Sequence, residues 1–498
     1  MRYLIILLAL VAQGAPAVEP ERGLIAWWPD ATAVSVGLLK QVGVQALITE
    51  VTTPVGPLAV AASEAGMAIL AEVPAEVGAV ANAKALGFAG VAVNAGDDEA
   101  ALRGLLKAQA GYVAIVYLKP EQIGWDVSPA LAVLRGGVWP GIASQGASVA
   151  SASEGIWLDA NSSLVGYLRA VFPKRPAVLG YRPDKDGGVP ATRSVPPRSV
   201  EVSLADAFAA GGHVILSIPD DYRAALGKGE TRALTAWKSL ADVAGFLQKQ
   251  RAMVRHEGYS RVGVLAGDLE QSGEVLNLAF RRNLSPVVVP LKSVPPVSLD
   301  RFDVVAAANV PLGLPAIEEL TSFVRRGGTV LAAPAPEDEK NPPWWTKVGG
   351  KKVESAEDRD VYTLGKGRIY GYHGAVLDPG PFALDLKDAA ADMAPREDGI
   401  KNLDFRIWSA DSVLGVLYRV GPMRMALVLT SYGNFLTHDF LISVRGRYRE
   451  ATIVDASTPD QLGGAASPLV LMPRTGRVEF NLKQLARTAI ILLEEQKP

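Results

Sequence analysis

Short apolar runs recur through the first half of the chain at an almost constant interval, and few folds accommodate that arrangement. LIAWW, ALITE, AILAEV, VAVN and YVAIVY begin at Leu24, Ala46, Ala68, Val91 and Tyr112, a step of roughly 22 residues. Between them lie Ala- and Leu-rich stretches of helical character, Val34–Val42, Pro57–Ala65, Ala75–Leu86 and Asp98–Ala108. Strands alternating with helices build βαβ units on a parallel sheet. Several helical stretches stop at glycine (QVG, EAG, ALG, QAG), the residue that closes a helix in the left-handed conformation. Further runs follow at Gly137 (GVWPGI), Gly155 (GIWLDAN), Ala177 (AVLGYR) and His213 (HVILSIP), and a helix from about Arg232 to Met253 would close the set. Eight such units in about 230 residues make a (β/α)8 barrel, whose chemistry sits at the carboxyl ends of the strands. Nine runs compete for eight places. Ala143–Ser153 is too rich in Ser, Ala and Gly for a helix, so one late run is peripheral or the barrel is irregular there.

After Gly258 the pattern restarts. RVGVLAG, PVVVPL, FDVVAAA and GGTVLAAP read as strands, with helices at Ser272–Arg282 and within PAIEELTSFVRR; GKGRIYGYHGAVLDP reads as an edge hairpin. This is a small open α/β domain with a parallel sheet. From about Lys401, VLGVLYRV, MALVLTSY, FLISVRG, ATIVDA, VEFNL and TAIILLEE alternate without helices, the pattern of an antiparallel β-sandwich. The start, MRYLIILLALVAQGAPAVEP, has the charge, apolar core and small-residue site of a secretory signal, and its apolar run is too short to span a bilayer. The expected organisation is a signal peptide (1–17), a (β/α)8 barrel (18–256), an α/β domain (257–398) and a β-sandwich (399–498). The expected location is exported, periplasmic or extracellular, with no stable membrane insertion once the signal is removed.

The chain has 498 residues, a net charge of −2, no cysteine and four histidines. Without cysteine there is no disulfide, thiolate metal site or thiol nucleophile. The histidines lack the close spacing of a zinc motif, and no metal or cofactor is expected. No basic run with interleaved aromatics supports a nucleic-acid partner. No G-x-S-x-G elbow or phosphate loop occurs.

Phe302-Asp303-Val304-Val305, the Pro315–Val324 helix and Arg326-Gly327-Gly328-Thr329-Val330 resemble the core of the glutamine-amidotransferase-like domain of family 42 glycoside hydrolases, the β-galactosidase type. Arg477–Leu482 and Thr488–Glu494 are similar to the closing strands of their sandwich. The resemblance implies the order barrel, amidotransferase-like domain, sandwich, a carbohydrate substrate and a possible homo-oligomer through the middle domain. It also implies an Asn-Glu pair at the end of strand four and a Glu at the end of strand seven. Here strand four ends Val93-Asn94-Ala95-Gly96, and GIWLDAN, taken as strand seven, offers Asp159. The amidotransferase-like domain has no cysteine nucleophile and is a scaffold or an interface.

Candidate residues follow from barrel logic. Asp159, Glu72 and Glu50 close apolar runs and are the candidate catalytic carboxylates; glycoside hydrolysis needs two flanking the scissile bond. For Asp159 the alternative is a cap on the helix starting near Ser162. For Glu50 and Glu72 it is a solvent-facing position. Trp157, Asn161, Trp139, Trp28, Asn94, Arg182 and Asp220 are the candidate substrate-binding residues. Trp27-Trp28, Trp125 and Trp139 form either a sugar-stacking platform or a buried aromatic plug. Arg182 binds a substrate carboxylate or an internal acid, and Asp220 binds a sugar hydroxyl or starts the following helix. The expected function is glycoside hydrolysis. The alternatives are a non-catalytic carbohydrate-binding or scaffold protein on a degenerate barrel, and an enzyme of another class on the same fold.

Overall fold

The computed structural model describes residues 18–51, 55–142, 158–182, 195–291, 298–392, 403–433, 436–456 and 466–496. The chain divides into two compact units, one of residues 1–140 and 172–251, the other of 141–171 and 252–498. The first is a barrel of eight parallel strands: β1 (Leu24–Trp27), β2 (Val44–Glu50), β3 (Ala68–Pro74), β4 (Gly90–Asn94), β5 (Val113–Leu118), β6 (Leu131–Leu134), β9 (Val178–Leu179) and β10 (His213–Val214). A parallel bridge between Ala26 and Leu216 closes the ring, with the Trp27 N–H donating to the Leu216 carbonyl at 2.8 Å. The expected helices form at Ala33–Gln41, Gly56–Ala65, Val77–Ala85, Glu99–Ala108 and Thr231–Val254. Gly66 ends one of them at φ 71°, a left-handed cap that a side chain would strain.

The strands carry two alternating faces. Ile25, Ile48, Leu70, Ala92, Ile115, Val133, Val178 and Ile215 share one buried cluster inside the ring. The seventh barrel strand, β9, adds Gly180 to this inward face. A Cβ at Gly180 would lie 2.4 Å from Val133 Cγ1 and 3.0 Å from Tyr117 Cε1. Only a bare backbone leaves room for the Tyr117 ring at this height.

Two expected barrel strands are not in the barrel. The sixth place belongs to Leu131–Leu134, not GVWPGI, and the seventh to Val178–Leu179, not GIWLDAN. Those two runs contribute only β7 (Gly141–Ile142) and β8 (Leu158–Asp159), which pair antiparallel with each other. The physical reason is pairing: their ladder partners are each other, and no barrel strand hydrogen-bonds to either. LAVL, at Leu131–Leu134, is a better strand, hidden by its short distance from YVAIVY.

The second unit holds an open seven-stranded sheet of order β12 (Val287–Pro290), β11 (Val262–Ala266), β13 (Val304–Ala307), β14 (Thr329–Ala332), β17 (Gly367–Tyr372), β16 (Arg359–Leu364) and β15 (Lys351–Ser355). The first five run parallel, and β16 and β15 antiparallel; the expected edge hairpin at GKGRIYGYHGAVLDP supplies one strand only, β17, which is interior, and the hairpin forms instead between β17 and the preceding β16, with β15 at the edge. The helix Ser162–Val171 packs on β12 and on the helix Leu269–Arg281, and the Tyr167 hydroxyl donates to the Gly267 carbonyl at 3.0 Å. A segment from between two barrel strands thus packs against β12, the terminal strand of this sheet.

The closing β-sandwich pairs β18 (Phe405–Trp408), β21 (Thr437–Arg445), β25 (Arg477–Leu485) and β24 (Met472–Arg474) in one sheet. The other holds β19 (Val413–Gly421), β20 (Arg424–Ser431), β26 (Thr488–Glu495), β22 (Tyr448–Asp455) and β23 (Ser467–Leu469). Phe440, Ile442 and Phe480 from one sheet and Leu427, Leu429 and Ile491 from the other belong to its core. Asn283 ties it to the α/β domain, accepting from the Gly415 N–H at 2.8 Å and donating to the Val413 carbonyl at 3.2 Å.

Gly180→Ala should lower stability by about 1–3 kcal/mol, the usual cost of overpacking. Urea unfolding would measure it, and Val133→Ala in the same chain should recover part of the loss.

Candidate functional site

The inward face changes character at the carboxyl ends of the strands. Two residues above the apolar layer, the same alternation places Glu50 on β2, Glu72 on β3 and Asn94 on β4, then Tyr117 on β5. Arg135 follows β6, and Arg182 follows β9. A layer of aliphatic side chains is therefore capped by a polar one. A cleft of about 680 Å³ opens above it, lined by Glu50, Glu72, Asn94 and Arg182 together with Glu76, Asp97, Asp98 and an aliphatic wall that includes Val73, Pro74 and Leu102.

Glu72 and Arg182 form the centre of the layer. Both side chains are only 10% exposed, and the Arg182 guanidinium donates to Glu72 Oε1 across the barrel, from the seventh barrel strand to the third. The other carboxylate oxygen, Oε2, accepts from Trp27 Nε1 at 2.7 Å. The guanidinium carbon lies 4.3 Å from the centre of the Trp27 ring, a cation–π contact. Burial, and then the charge of Glu72, push the Tyr117 phenol well above its usual range, while Arg182 and Arg135 oppose the shift. Arg135 donates to Asn94 Oδ1 at 2.9 Å and stands 5.9 Å above the Tyr117 ring. The result is a connected, preorganised layer with one fixed carboxylate.

Glu50 differs. It is the register partner of Glu72 on the neighbouring strand, and register partners on adjacent parallel strands point to the same side. It is exposed. Two carboxyl groups thus stand side by side at the mouth, one clamped and one facing the cleft.

The remaining candidates separate. Asn94 and Arg182 line the cleft, and Arg182 takes the internal partner. Trp28 is buried on the outer face, edge-on to Trp237 with ring centres 5.9 Å apart. Trp139 is buried edge-on to Tyr181 at 5.2 Å. Trp27, Trp28 and Trp139 are therefore plugs, and no aromatic ring among the described residues lines the cleft. Asp220 starts the helix Asp220–Gly227 and accepts from Arg223 Nη2 at 2.7 Å; it is not among the residues lining the cleft.

Asp159 is corrected most. It lies on β8, outside the barrel sheet, in the second unit. Burial pulls the Arg281 guanidinium down to about 10, and the charge of Asp159 opposes that shift. Asn161 is buried beside it, its carbonyl accepting from the Val165 N–H at 3.0 Å at the start of the helix Ser162–Val171. Trp157 lies outside the described residues. Sequence reasoning missed Tyr117 and Arg135 as members of the polar layer, and offered Trp27 only as a stacking platform or a plug. The signal was present: counting by two from Ile25, Ile115 and Leu131 reaches all three.

No family model matches the chain, and no curated protein sequence matches it either. Several of the solved structures it resembles are glycoside hydrolases. α-L-fucosidase isoenzyme 2 from Paenibacillus thiaminolyticus aligns over 96% of this chain and 100% of its own, with a TM-score of 0.55 and 8% identity. The exo-β-1,4-mannosidase Op5Man5 from Opitutaceae bacterium strain TAV5 covers 77% of this chain and 97% of its own, at 0.47 and 12%. The exo-carrageenase GH42 from Bacteroides ovatus covers 80% and 54%, at 0.42 and 11%. The likeness is one of fold alone, the eight-stranded parallel barrel.

Arg182→Met would leave Glu72 buried without its cation, and unfolding should show a loss of about 3–5 kcal/mol. Adding Glu72→Gln should restore much of it, because the uncompensated charge is then gone.

Proposed function

We propose that the chain is an exported glycoside hydrolase, kin to the family 42 enzymes in domain order, that cleaves a glycosidic bond at the barrel mouth with Glu72 and Glu50 as its carboxyl pair. The observation that carries this is the register pairing of Glu50 with Glu72, both lining one cleft of about 680 Å³. Neighbouring strands lie about 4.8 Å apart. Retaining glycosidases hold their carboxyls about 5–5.5 Å apart, and inverting ones hold them wider.

The roles follow from the surroundings. Glu72, oriented by Trp27 and Arg182, attacks the anomeric carbon as the glycosidic C–O bond breaks. Glu50, unbonded and facing the cleft, gives its proton to the leaving oxygen. Glu50 then takes a proton from the water that breaks the glycosyl–Glu72 ester, which returns both groups to their starting state. Arg182 and Trp27 act through Glu72 by holding its oxygens in place.

One observation favours the rival reading, a carbohydrate-binding protein without turnover: both oxygens of Glu72 are already hydrogen-bonded. A glycan array combined with a hydrolysis screen separates the two. Once a cleaved glycoside is found, Glu72→Gln and Glu50→Gln should each reduce kcat by about 10²–10⁴-fold. Proton NMR should show the product with retained anomeric configuration. Inverted product, or full activity in either variant, would remove the adjacent pair from the mechanism, and binding without cleavage would establish the rival.

A further inference from the structure

We infer that the joint between the α/β domain and the sandwich contains a proton-binding site: Asp404, bonded to both domains with one carboxylate oxygen buried and unpartnered, takes up a proton as the solution becomes acidic, and the joint tightens when it does. Asp404 stands directly before β18, where the chain enters the sandwich. Its Oδ2 accepts from the Arg261 N–H at 2.8 Å, one residue before β11 of the α/β domain. Its main-chain carbonyl accepts from the Arg445 N–H at 2.8 Å, at the end of β21 of the sandwich. Neighbouring bonds cross the same joint. The Tyr259 N–H donates to the Leu417 carbonyl at 2.7 Å, and Asp303 accepts from Arg261 Nη1 at 2.8 Å and from Arg445 Nη1 at 3.2 Å.

The second observation is the other carboxylate oxygen. Asp404 keeps a partly exposed edge, but Oδ1 is buried and, among the described residues, has no hydrogen-bond partner. A cavity of about 10 Å³ adjoins the residue, lined by groups that include Arg261, Asn283, Asp303, Ala390 and Leu403. That is the lower limit of what one water needs. A charged oxygen so placed is costly, and a neutral carboxyl less so. The charged and titratable groups around Asp404 are Arg261 and Asp303 of the α/β domain and Arg445, Arg477 and Tyr448 of the sandwich. Both Arg261 and Arg445 are committed to Asp303, so the nearest positive charge is shared with a second anion. Burial, with Asp303 adding to it, pushes the Asp404 carboxyl above the usual carboxylate range against the pull of the Arg261 N–H and the two guanidinium groups.

The sign follows from linkage. A carboxyl raised on folding contributes its stability fully below about pH 3.9, the value for a free aspartate, and loses it as the pH rises through the folded value. The joint is therefore firmer in acid. Asp360, which Lys352 and Ser355 hold down to about 2, has the opposite dependence.

The test is hydrogen exchange of the whole chain between pH 4 and pH 7, read by mass spectrometry over peptides covering 258–263 and 403–407. Rates are corrected for the intrinsic pH dependence of exchange. Protection of the segment containing the Arg261 amide should be about fivefold or more higher at pH 4 than at pH 7. Asp404→Asn, with folding verified by thermal melting, should be as protected at pH 7 as the unaltered chain is at pH 4, and should lose the pH dependence. Asp303→Asn removes the facing negative charge and should move the change in protection to lower pH. Protection that falls or stays level as acid is added would make Asp404 an ordinary ionised partner of Arg261 and overturn the inference. So would a pH dependence that survives Asp404→Asn or, should that variant not fold, one that Asp303→Asn leaves in place.

Discussion

The ion pair between Glu72 and Arg182 joins opposite sides of the barrel just above the level where the interior stops being aliphatic. Burying two charges is costly, and their mutual attraction offsets that cost only when the remaining donors and acceptors are also satisfied. Both oxygens of Glu72 are satisfied here. The guanidinium has a carboxylate beside it and an indole against its face. The tyrosine next to it is buried deeply enough to stay a phenol. The pair therefore holds the barrel mouth in one arrangement, and Glu72 belongs to that arrangement more than to its own strand.

The same layer explains why this barrel is irregular where it is. Tyr117 needs the space that Gly180 leaves, so the seventh barrel strand must bring bare backbone to the inner face just after β9. β6 and β9 share a single register pair, Leu134 with Leu179, supplemented by the Gly180 N–H donating to the Leu134 carbonyl at 2.9 Å. A joint this short imposes little on what lies between. The chain between these strands supplies a helix to the other unit, where it packs on β12 and on the helix Leu269–Arg281.

The barrel was legible wherever strand, helix and cap agreed. The first five strands and the helices between them follow the sequence rhythm within a residue or two, because alanine-rich helices closed by glycine leave few alternatives. It stopped being legible at Gly137, where two aromatic-rich runs looked more like strands than LAVL did. GVWPGI and GIWLDAN have strand composition without a strand's partners, and composition carries no information about partners. Asp159 went astray for this reason. Trp139, in GVWPGI, did so with it, and Trp28 for another reason: a tryptophan near a strand end reads the same whether its parity points inward or outward, and Trp27, one residue before Trp28, has the inward parity. The placing of Glu50, Glu72, Asn94 and Arg182 at the cleft was legible because each stands at or near the carboxyl end of an apolar run.

The resemblance to family 42 enzymes implies acids at the ends of strands four and seven, and both places are taken by something else. After Asn94 stands Ala95, 4% exposed, which leaves neither a carboxyl group nor room to insert one cheaply. Gly180-Tyr181-Arg182 follow the seventh barrel strand, so a cation occupies the region where an acid is implied. An arginine there would attract any acid able to reach it, and Glu72, on the third strand, does so. The two departures are thus linked: with a guanidinium after strand seven, the carboxylate facing it comes from strand three, and its cleft-facing neighbour comes from strand two. Any chemistry at this mouth is displaced toward the ends of β2, β3 and β4, which line the cleft.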